Sequence, residues 1–562
     1  MEIIISNDRT SDFGKALLDS IQQLPQRNNK LLIQVYNFTN EYPTVSEQLE
    51  ALKDPDMEND LYYQLRDTLG WYKMASLLEE HVGKPVLARA GFVINPISQD
   101  EIPGDRSVDI MFTHDTREFV IDKPKRGVID GNVALNIQAG SFYIGLNNQT
   151  VHLSGEADVT LSHVKAVASG HAQLELSDGC MVQATDDVKI KREDGCNYVE
   201  VTGGQVQVEG DYTYIVIKGG APTVEANWGS IVVAQTPADA VEQPKLKLGS
   251  DVVLIATAQL PSTDIAPTVH QIHVAPQDGV MERMIETFKS SMKNYMNPAA
   301  SSARLISLNQ VKQYLIQLLP NRPDFCNQVK QVNQQEQLVR LLPNYLPDLT
   351  KAGLMSQFLK SNFDRGLLEQ NGIFMDPDSY INHQDRDTRH IFGPGLFPIS
   401  DHTETMHTYE GAIVTTGSVY QVHTHGDSLV LATKVIRAQT EDQSSLIADS
   451  VRTLQMKDGS TAAIPVVREA TLSGFSSLLS EQLDKLAGTE KSVTCFRNKA
   501  TEAPEAYVGP VYETDPKHPD RLYDVHTQTG YYATPAMLFK DNQEHYQTTK
   551  QTEQKGKIGR SL

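Results

Sequence analysis

Six of the sixteen histidines fall between positions 383 and 425: His383, His390, His402, His407, His423 and His425. Carboxylates are interleaved with them, notably Asp385, Asp387, Asp401, Glu404 and Asp427. Imidazole nitrogens and carboxylate oxygens are the donor set of zinc and non-haem iron centres. On a strand, the spacing His423-x-His425 puts both rings on one face. With Asp427 two residues on, the candidate metal ligands are His423, His425 and Asp427, and the candidate ions are Zn or Fe. The ordinary alternative is that these are structural or surface histidines. No catalytic nucleophile stands out. Cys326 sits in a helical stretch and Cys495 in a strand, and neither has neighbours that would lower a thiol pKa.

The run Gly417-SVYQV-His423-Thr-His425 resembles the first half of the cupin metal motif, Gly-x5-His-x-His. The resemblance implies ligand roles for His423 and His425. Leu429 and Val430 stand where that family carries its glutamate, and no second motif follows downstream.

The elements that would carry these residues are set by a different pattern. Between Gly155 and Ala234 the chain repeats about every eight residues, as in GEADVTLS, GHAQLELS and DGCMVQAT. Each unit has a Gly/Asp/Ser corner and a short alternating strand. Buried positions keep one phase from unit to unit, as in Ala157, Val159, Leu161 and Ala172, Leu174, Leu176. A meander of two-residue hairpins would switch faces at every strand. A stacked β-solenoid keeps the phase. With two octads per coil, residues sixteen apart stack on neighbouring rungs. Cys180 and Cys196 then share a column, as two small interior residues or, alternatively, as a disulfide or metal clip. The last units are apolar at both parities, so the end of the repeat is expected to be covered by another domain.

The expected fold class is multidomain α+β. Residues 1–126 form an N-terminal α/β domain, with strands at 2–6 and 31–38 and a long helix at 60–82. Residues 127–240 form the central β-solenoid of octad repeats, and 241–276 a strand and linker. Residues 277–372 form a helical subdomain, whose Met281, Met284, Met292 and Met296 read as core filling in preference to a partner surface. Residues 373–490 form a β-rich domain with one helix at 473–486. Residues 491–546 form a small β module, and 547–562 a flexible tail.

With 562 residues, 40% of them hydrophobic and 22% charged, the chain is long enough for several domains of ordinary composition. A net charge of −21 argues against nucleic acid as a partner. No apolar run approaches a membrane span, and the first residues lack the pattern of a cleaved signal. Synthesis in the cytoplasm is expected, with a virion or another cell as further destinations. Four cysteines point to a reducing compartment.

The segment CFRNKATEAPEAY followed by LYDVHTQTGYYATPAMLFKDNQEHY is similar to the small phage and bacterial module named for its PGDYG motif. Arg521, Leu522, Tyr523 and Asp524 occupy the place of that signature. The octad repeats also resemble those of phage and host-associated bacterial proteins. Together these readings favour a non-enzymatic structural or protein-interaction role, in an assembly or a homo-oligomer, as in a phage virion. The runner-up is a bacterial effector with a metal-dependent enzyme in 373–546. Third is a carbohydrate-binding solenoid, for which the octads offer only Tyr198, Tyr212, Tyr214 and Trp228.

Overall fold

The computed structural model describes all residues except 1–11, 25–28, 53–60, 103–106, 114–117, 124, 146–148, 193–194, 237–242, 251, 258–259, 261–263, 267, 275–279, 297–306, 353–354, 376–387, 394, 400–402, 490, 497–505, 508–509, 516–517, 526–529, 532–533 and 559–562. The expected strand at 2–6 lies outside the described residues. The chain is a mixed α and β protein with large parallel sheets. It divides into two compact units: residues 1–209 with 220–223, and residues 210–219 with 224–562.

The first unit begins with helices Asp12–Gln22, Asn29–Glu41, Val45–Leu52, Leu61–Leu69, Trp71–His81 and Lys84–Arg89. The expected strand at 31–38 lies inside the second of these. Its β-branched and aromatic content suggested a strand, but Leu31, Leu32, Val35 and Phe38 make a helical stripe in the core while Ile33 is exposed. The long helix expected at 60–82 is two helices, parted at Gly70, which has φ +81°. The helical core closes onto Phe92, Ile94 and Met111 of the first strands.

From Phe92 onward this unit is a run of parallel strands. Phe92 pairs with Asp109 and Val108 with Gly127, so the pairing begins upstream of residue 127. Through the octads alternate strands pair: Lys165 with Met181, and Gln173 with Lys189, sixteen residues apart in each case. Parallel pairing of alternate strands excludes an up-and-down meander. The step then lengthens. Met181 pairs with Tyr198, so the rung partner of Cys180 is Asn197, whose Oδ1 accepts from the Cys180 amide at 2.9 Å. The expected shared column of Cys180 and Cys196 is therefore off by one residue, and neither cysteine is in a disulfide. Burial pushes the Cys180 thiol up to about 12, so it stays protonated.

In the second unit, Tyr214 pairs with Ile231, Ile231 with Val253 and Val253 with His270, all in parallel. Residues expected to be a linker thus extend the strand pairing to His273. Strands Thr213–Ile217, Ile231–Ala234 and Val253–Ala256 are buried throughout. The cover is helix Val280–Met296, whose Phe288 stacks on Tyr214 with ring centroids 4.8 Å apart. The helix's Met281, Met284, Met292 and Met296 are all buried, as core filling requires.

Helices Leu308–Leu318 to Arg365–Glu369 follow, and then a second set of parallel strands from Ile373. From Thr403 to Val493 every pairing among the described residues steps by sixteen: Thr403 to Val419, Ile413 to Leu429, Leu429 to Ser445, Ser445 to Thr461, Thr461 to Ser477 and Ser477 to Val493. The corners fall in the same column. Glu410, Gly426, Asp442, Asp458 and Gly474 all have φ between +51° and +63°. Two residues beyond the later corners lie Ser428, Ser444, Ser460, Ser476 and Ser492, each wholly buried. Three of these hydroxyls meet a threonine column: Thr408 to Ser428 at 2.9 Å, Thr424 to Ser444 at 2.7 Å and Thr440 to Ser460 at 3.0 Å. Paired in this way, these three avoid the desolvation cost of an unmade bond, whereas the Ser476 hydroxyl is buried without a partner.

The helix expected at 473–486 is instead the strands Ser477–Ser480 and Gln482–Gly488. The reason is a change of spacing within each sixteen-residue step. Interior positions run Val430, Ala432, Val435, Ala438, so the spacing changes from two to three along the strand. Leu478, Leu483 and Leu486 follow the same rule and imitate helical periodicity. An antiparallel hairpin, Val511–Asp515 with His518–Asp524, ends the parallel pairing. The tail expected to be flexible is helical as far as Ile558, within helix Pro535–Ile558. Asn542 anchors that helix by donating to the carbonyls of Phe475 and Ser476, and Tyr546 packs over Gly459.

Two left-handed glycines separate strain from crowding. A Cβ at Gly426 would find nothing nearer than 3.6 Å, whereas one at Gly204 would meet the Asp186 carbonyl oxygen at 2.3 Å. Gly426→Ala is expected to cost about 1–2 kcal/mol, the price of a left-handed non-glycine residue. Gly204→Ala must also shift backbone and is expected to cost more than twice as much, as read by urea denaturation. Equal losses would show that the corner at Gly204 relaxes freely.

Candidate functional site

Strands Thr388–Phe392, Thr403–Tyr409 and Ala412–Thr424 place the histidines in a ladder on the outer face of the second parallel set. The register pairs His390 with His407 and His407 with His423. Their rings stack face to face, with centroids 4.7 Å and then 4.4 Å apart and planes within 11°. Two residues along, a second column runs Phe392, Tyr409, His425, with centroid spacings of 4.6 and 5.0 Å. The interior-facing residues between the columns, Met406, Thr408, Val422 and Thr424, are fully buried.

The ladder lies beneath the helices: Phe392 and Tyr409 belong to the core built by Phe325, Leu338, Leu349 and Phe358. Two carboxylates bind that layer to the strands. Glu410, at the corner of the coil, accepts from the amides of Met355 and Ser356 at 2.6 and 3.1 Å, at the start of helix Met355–Asn362. These are the open donors of a helix N-terminus. Glu441, 6% exposed, lies 2.6 Å from Nδ1 of His425 and 3.3 Å from Nζ of Lys351.

Burial sets the charge state. Desolvation, with the neighbouring His425 and His423 adding to it, pushes His390 down to about 3. His407 is driven lower still by burial and then by His390, His423 and His425. His423 is lowered by desolvation first and then by His425, with Glu441 opposing. Glu441 is held down at about 2, chiefly by its contact with His425 and then by Lys351. Tyr409 is raised, by burial and then by Glu441. His390 Nδ1 lies 3.1 Å from the Tyr409 hydroxyl, and His423 Nε2 lies 2.6 Å from the Gln421 amide nitrogen. At neutral pH His390 and His407 are therefore neutral stacked imidazoles.

Of the residues singled out from the sequence, the structure brings together His390, His407, His423 and His425. His383, Asp385, Asp387, Asp401 and His402 lie outside the described residues. Glu404 is exposed on its strand. Asp427 lines a separate cavity beside Arg283. The His423 and His425 rings are parallel within 5° with centroids 6.4 Å apart. Among the described residues, no three His, Cys, Asp or Glu side chains gather as an ion's ligand set. Sequence reasoning found the histidines but missed Glu441 and Lys351. The available signal was the sixteen-residue step from His407 to His423, and from Tyr409 to His425 to Glu441.

No family model, no curated protein and no solved structure matches the chain.

Proposed function

We propose that the protein is a non-enzymatic structural or protein-interaction component, built on two β-solenoids that position docking domains as a phage virion or its assembly machinery requires. The observation that carries this reading is the unbroken sixteen-residue register from 403 to 493, with its serine column and its left-handed corner column. A body in which every coil repeats the same contacts is stiff along its axis and presents repeated surfaces. The chemically suggestive histidines support it too, because His390, His407 and His423 are stacked on one another and burial keeps His390 and His407 neutral. Partners on this reading are other proteins, or further copies of the chain. The carbohydrate reading loses two of its four aromatics, since Tyr198 and Tyr214 are buried.

The test is metal analysis and native isolation together. Purified protein is expected to carry less than about one-tenth of an equivalent of zinc or iron, and tagged protein to be recovered from its source in a stoichiometric protein assembly. One equivalent of zinc or iron, lost in a His423→Ala/His425→Ala variant, would overturn the reading in favour of a metal-dependent effector. Recovery as a free monomer would overturn it as well.

A further inference from the structure

Helix Val280–Met296, the coils at 427–463 and helix Pro535–Ile558 enclose a cavity of ≈ 510 Å³ that the histidine ladder does not share. Part of its wall is apolar: Met284, Leu429, Leu446, Ile447, Ala463 and Phe539 all line it, and all are buried. That volume is in the range of sites that take a drug-sized organic molecule.

Polar groups at two places in the lining are unusual. The first is Arg283, whose Nη2 donates to the Gln443 carbonyl at the long distance of 3.5 Å. A guanidinium has five donors in a planar fork, so one long bond leaves most of that capacity unused by this contact. Asp427 lines the same cavity and acts on Arg283 through its charge. Burial lowers Arg283 to about 10, which keeps it protonated at neutral pH. The second is Thr461, 5% exposed, whose Oγ1 is buried without a hydrogen-bond partner. A buried hydroxyl left unpaired costs about 1–3 kcal/mol. A ligand oxygen would remove that cost.

We propose that this cavity binds an amphipathic monocarboxylate, its head group between the Arg283 guanidinium and the Thr461 hydroxyl and its hydrocarbon body against Leu446, Ile447 and Phe539. A carboxylate matches the fork of an arginine with two parallel hydrogen bonds. It also accepts from a hydroxyl, which the Thr461 side chain can supply. Asp427 acts on the guanidinium through its charge, and Glu282 and Glu286 line the cavity as well, so three carboxylates face the two cations Arg283 and Lys540 and a second negative charge on the ligand is disfavoured. The hydrocarbon requirement follows from the apolar part of the wall, which offers contact area and few hydrogen bonds. The proposal goes beyond the structural role above and does not depend on it.

The test is calorimetric titration of the full chain with dodecanoate, with dodecanol and with inorganic phosphate. Dodecanoate is expected to bind with a stoichiometry of one. Dodecanol is expected to bind at least tenfold more weakly, and phosphate not at all. Arg283→Met is expected to weaken dodecanoate at least tenfold while leaving dodecanol unchanged, and Arg283→Lys to fall between. Arg283→Met exchanges a buried charge for a side chain of similar length, so the fold is expected to persist; unchanged far-UV circular dichroism and dodecanol affinity check this. Thr461→Val should weaken dodecanoate about threefold or more. Failure of dodecanoate to bind, equal affinity for dodecanol, or undiminished dodecanoate binding by Arg283→Met would each overturn the proposal. Tight phosphate binding would do the same, by showing a simple anion site.

Discussion

Excision of residues 451–466 is expected to leave a folded protein, whereas excision of 451–465 should abolish the fold of the second parallel set. The first deletion joins Ser450 to Val467, the residue that pairs with Val451 one coil below. Every later side chain then keeps its face, and the run is shorter by one coil. In a stack stabilised by nearest-neighbour contacts, removing an internal coil takes away one set of contacts and restores another. Its Tm is expected to stay within roughly 10 °C of the parent's. The second deletion joins Ser450 to Val466, which is 40% exposed in the intact chain. Since successive strand residues point to opposite faces, a slip of one moves Val467, Ala470 and Leu472 out of the interior. Exposing them costs about 5 kcal/mol together, comparable to the entire stability of many domains. The junction lies within a strand, so no corner is available to take up the missing residue before Leu472. Soluble yield, circular dichroism and limited proteolysis distinguish the two products. Equal behaviour of both deletions would refute a fixed register, and the solenoid reading with it.

Corners do take up residues elsewhere, and this explains what could be read from the sequence. Around the octads the step is sixteen where two full units intervene and longer where a corner gains residues, as between Lys189 and Gln207. Gly, Asp and Ser at short intervals announce those corners, and four-residue strands between them alternate cleanly, so these strands were legible. The shift at Cys196 was not, because an extra residue in a corner leaves no trace in hydrophobic alternation. In the second parallel set only one corner per coil carries a left-handed residue, and strands such as Leu429–Thr440 are twelve residues long. Within such a strand the spacing changes from two to three. The alternation therefore drifts, and the coil reads as loosely defined β structure or, at 473–486, as a helix. The stronger signal was positional. HGDS, EDQS, KDGS and SGFS begin at 425, 441, 457 and 473, one coil apart.

The candidate site was legible in residue type and not in chemistry. Four histidines near one another suggest a ligand set, and the sequence contains nothing to say whether rings will converge or stack. Parallel pairing decides it. Residues in register on adjacent parallel strands stand side by side with the strand spacing between them, which for two imidazoles is close to stacking distance. Lys351 was beyond reach for another reason: its proximity to Glu441 depends on where a helix docks, and the two lie far apart in sequence.

That stacking fixes how the protein should respond to acid. Between pH 7 and pH 5 its unfolding free energy is expected to fall by about 4 kcal/mol, and His407→Phe should roughly halve the fall. The sign follows from the direction of the shifts. His390 and His407 have lowered pKa values in the fold, so the folded protein resists their protonation while the unfolded chain takes up protons from about pH 6.5 downward. The unfolded state then holds more protons, and stability drops by about 1.4 kcal/mol per pH unit for each such histidine. The stabilisation is complete above pH 6.5 and continues to be lost until the folded value is reached, about 3 for His390. Glu441 acts in a lower window. Its pKa is lowered to about 2, so its contribution is complete above the ordinary 4.5 and is lost as pH falls through that range. The interval from pH 6.5 to 5 thus lies above the window of Glu441. Tyr409, His425, Glu441 and Lys351 face them, and of these Tyr409 and Lys351 have raised pKa values that leave them unchanged in charge across the interval. Phenylalanine at 407 keeps a ring between His390 and His423 and removes one titrating group, so the packing survives while the slope changes. Urea denaturation at pH 7, 6 and 5 measures it. A stability independent of pH over that range would show that the imidazoles reach water in the folded state and that the ladder is not the sealed stack its ring geometry describes.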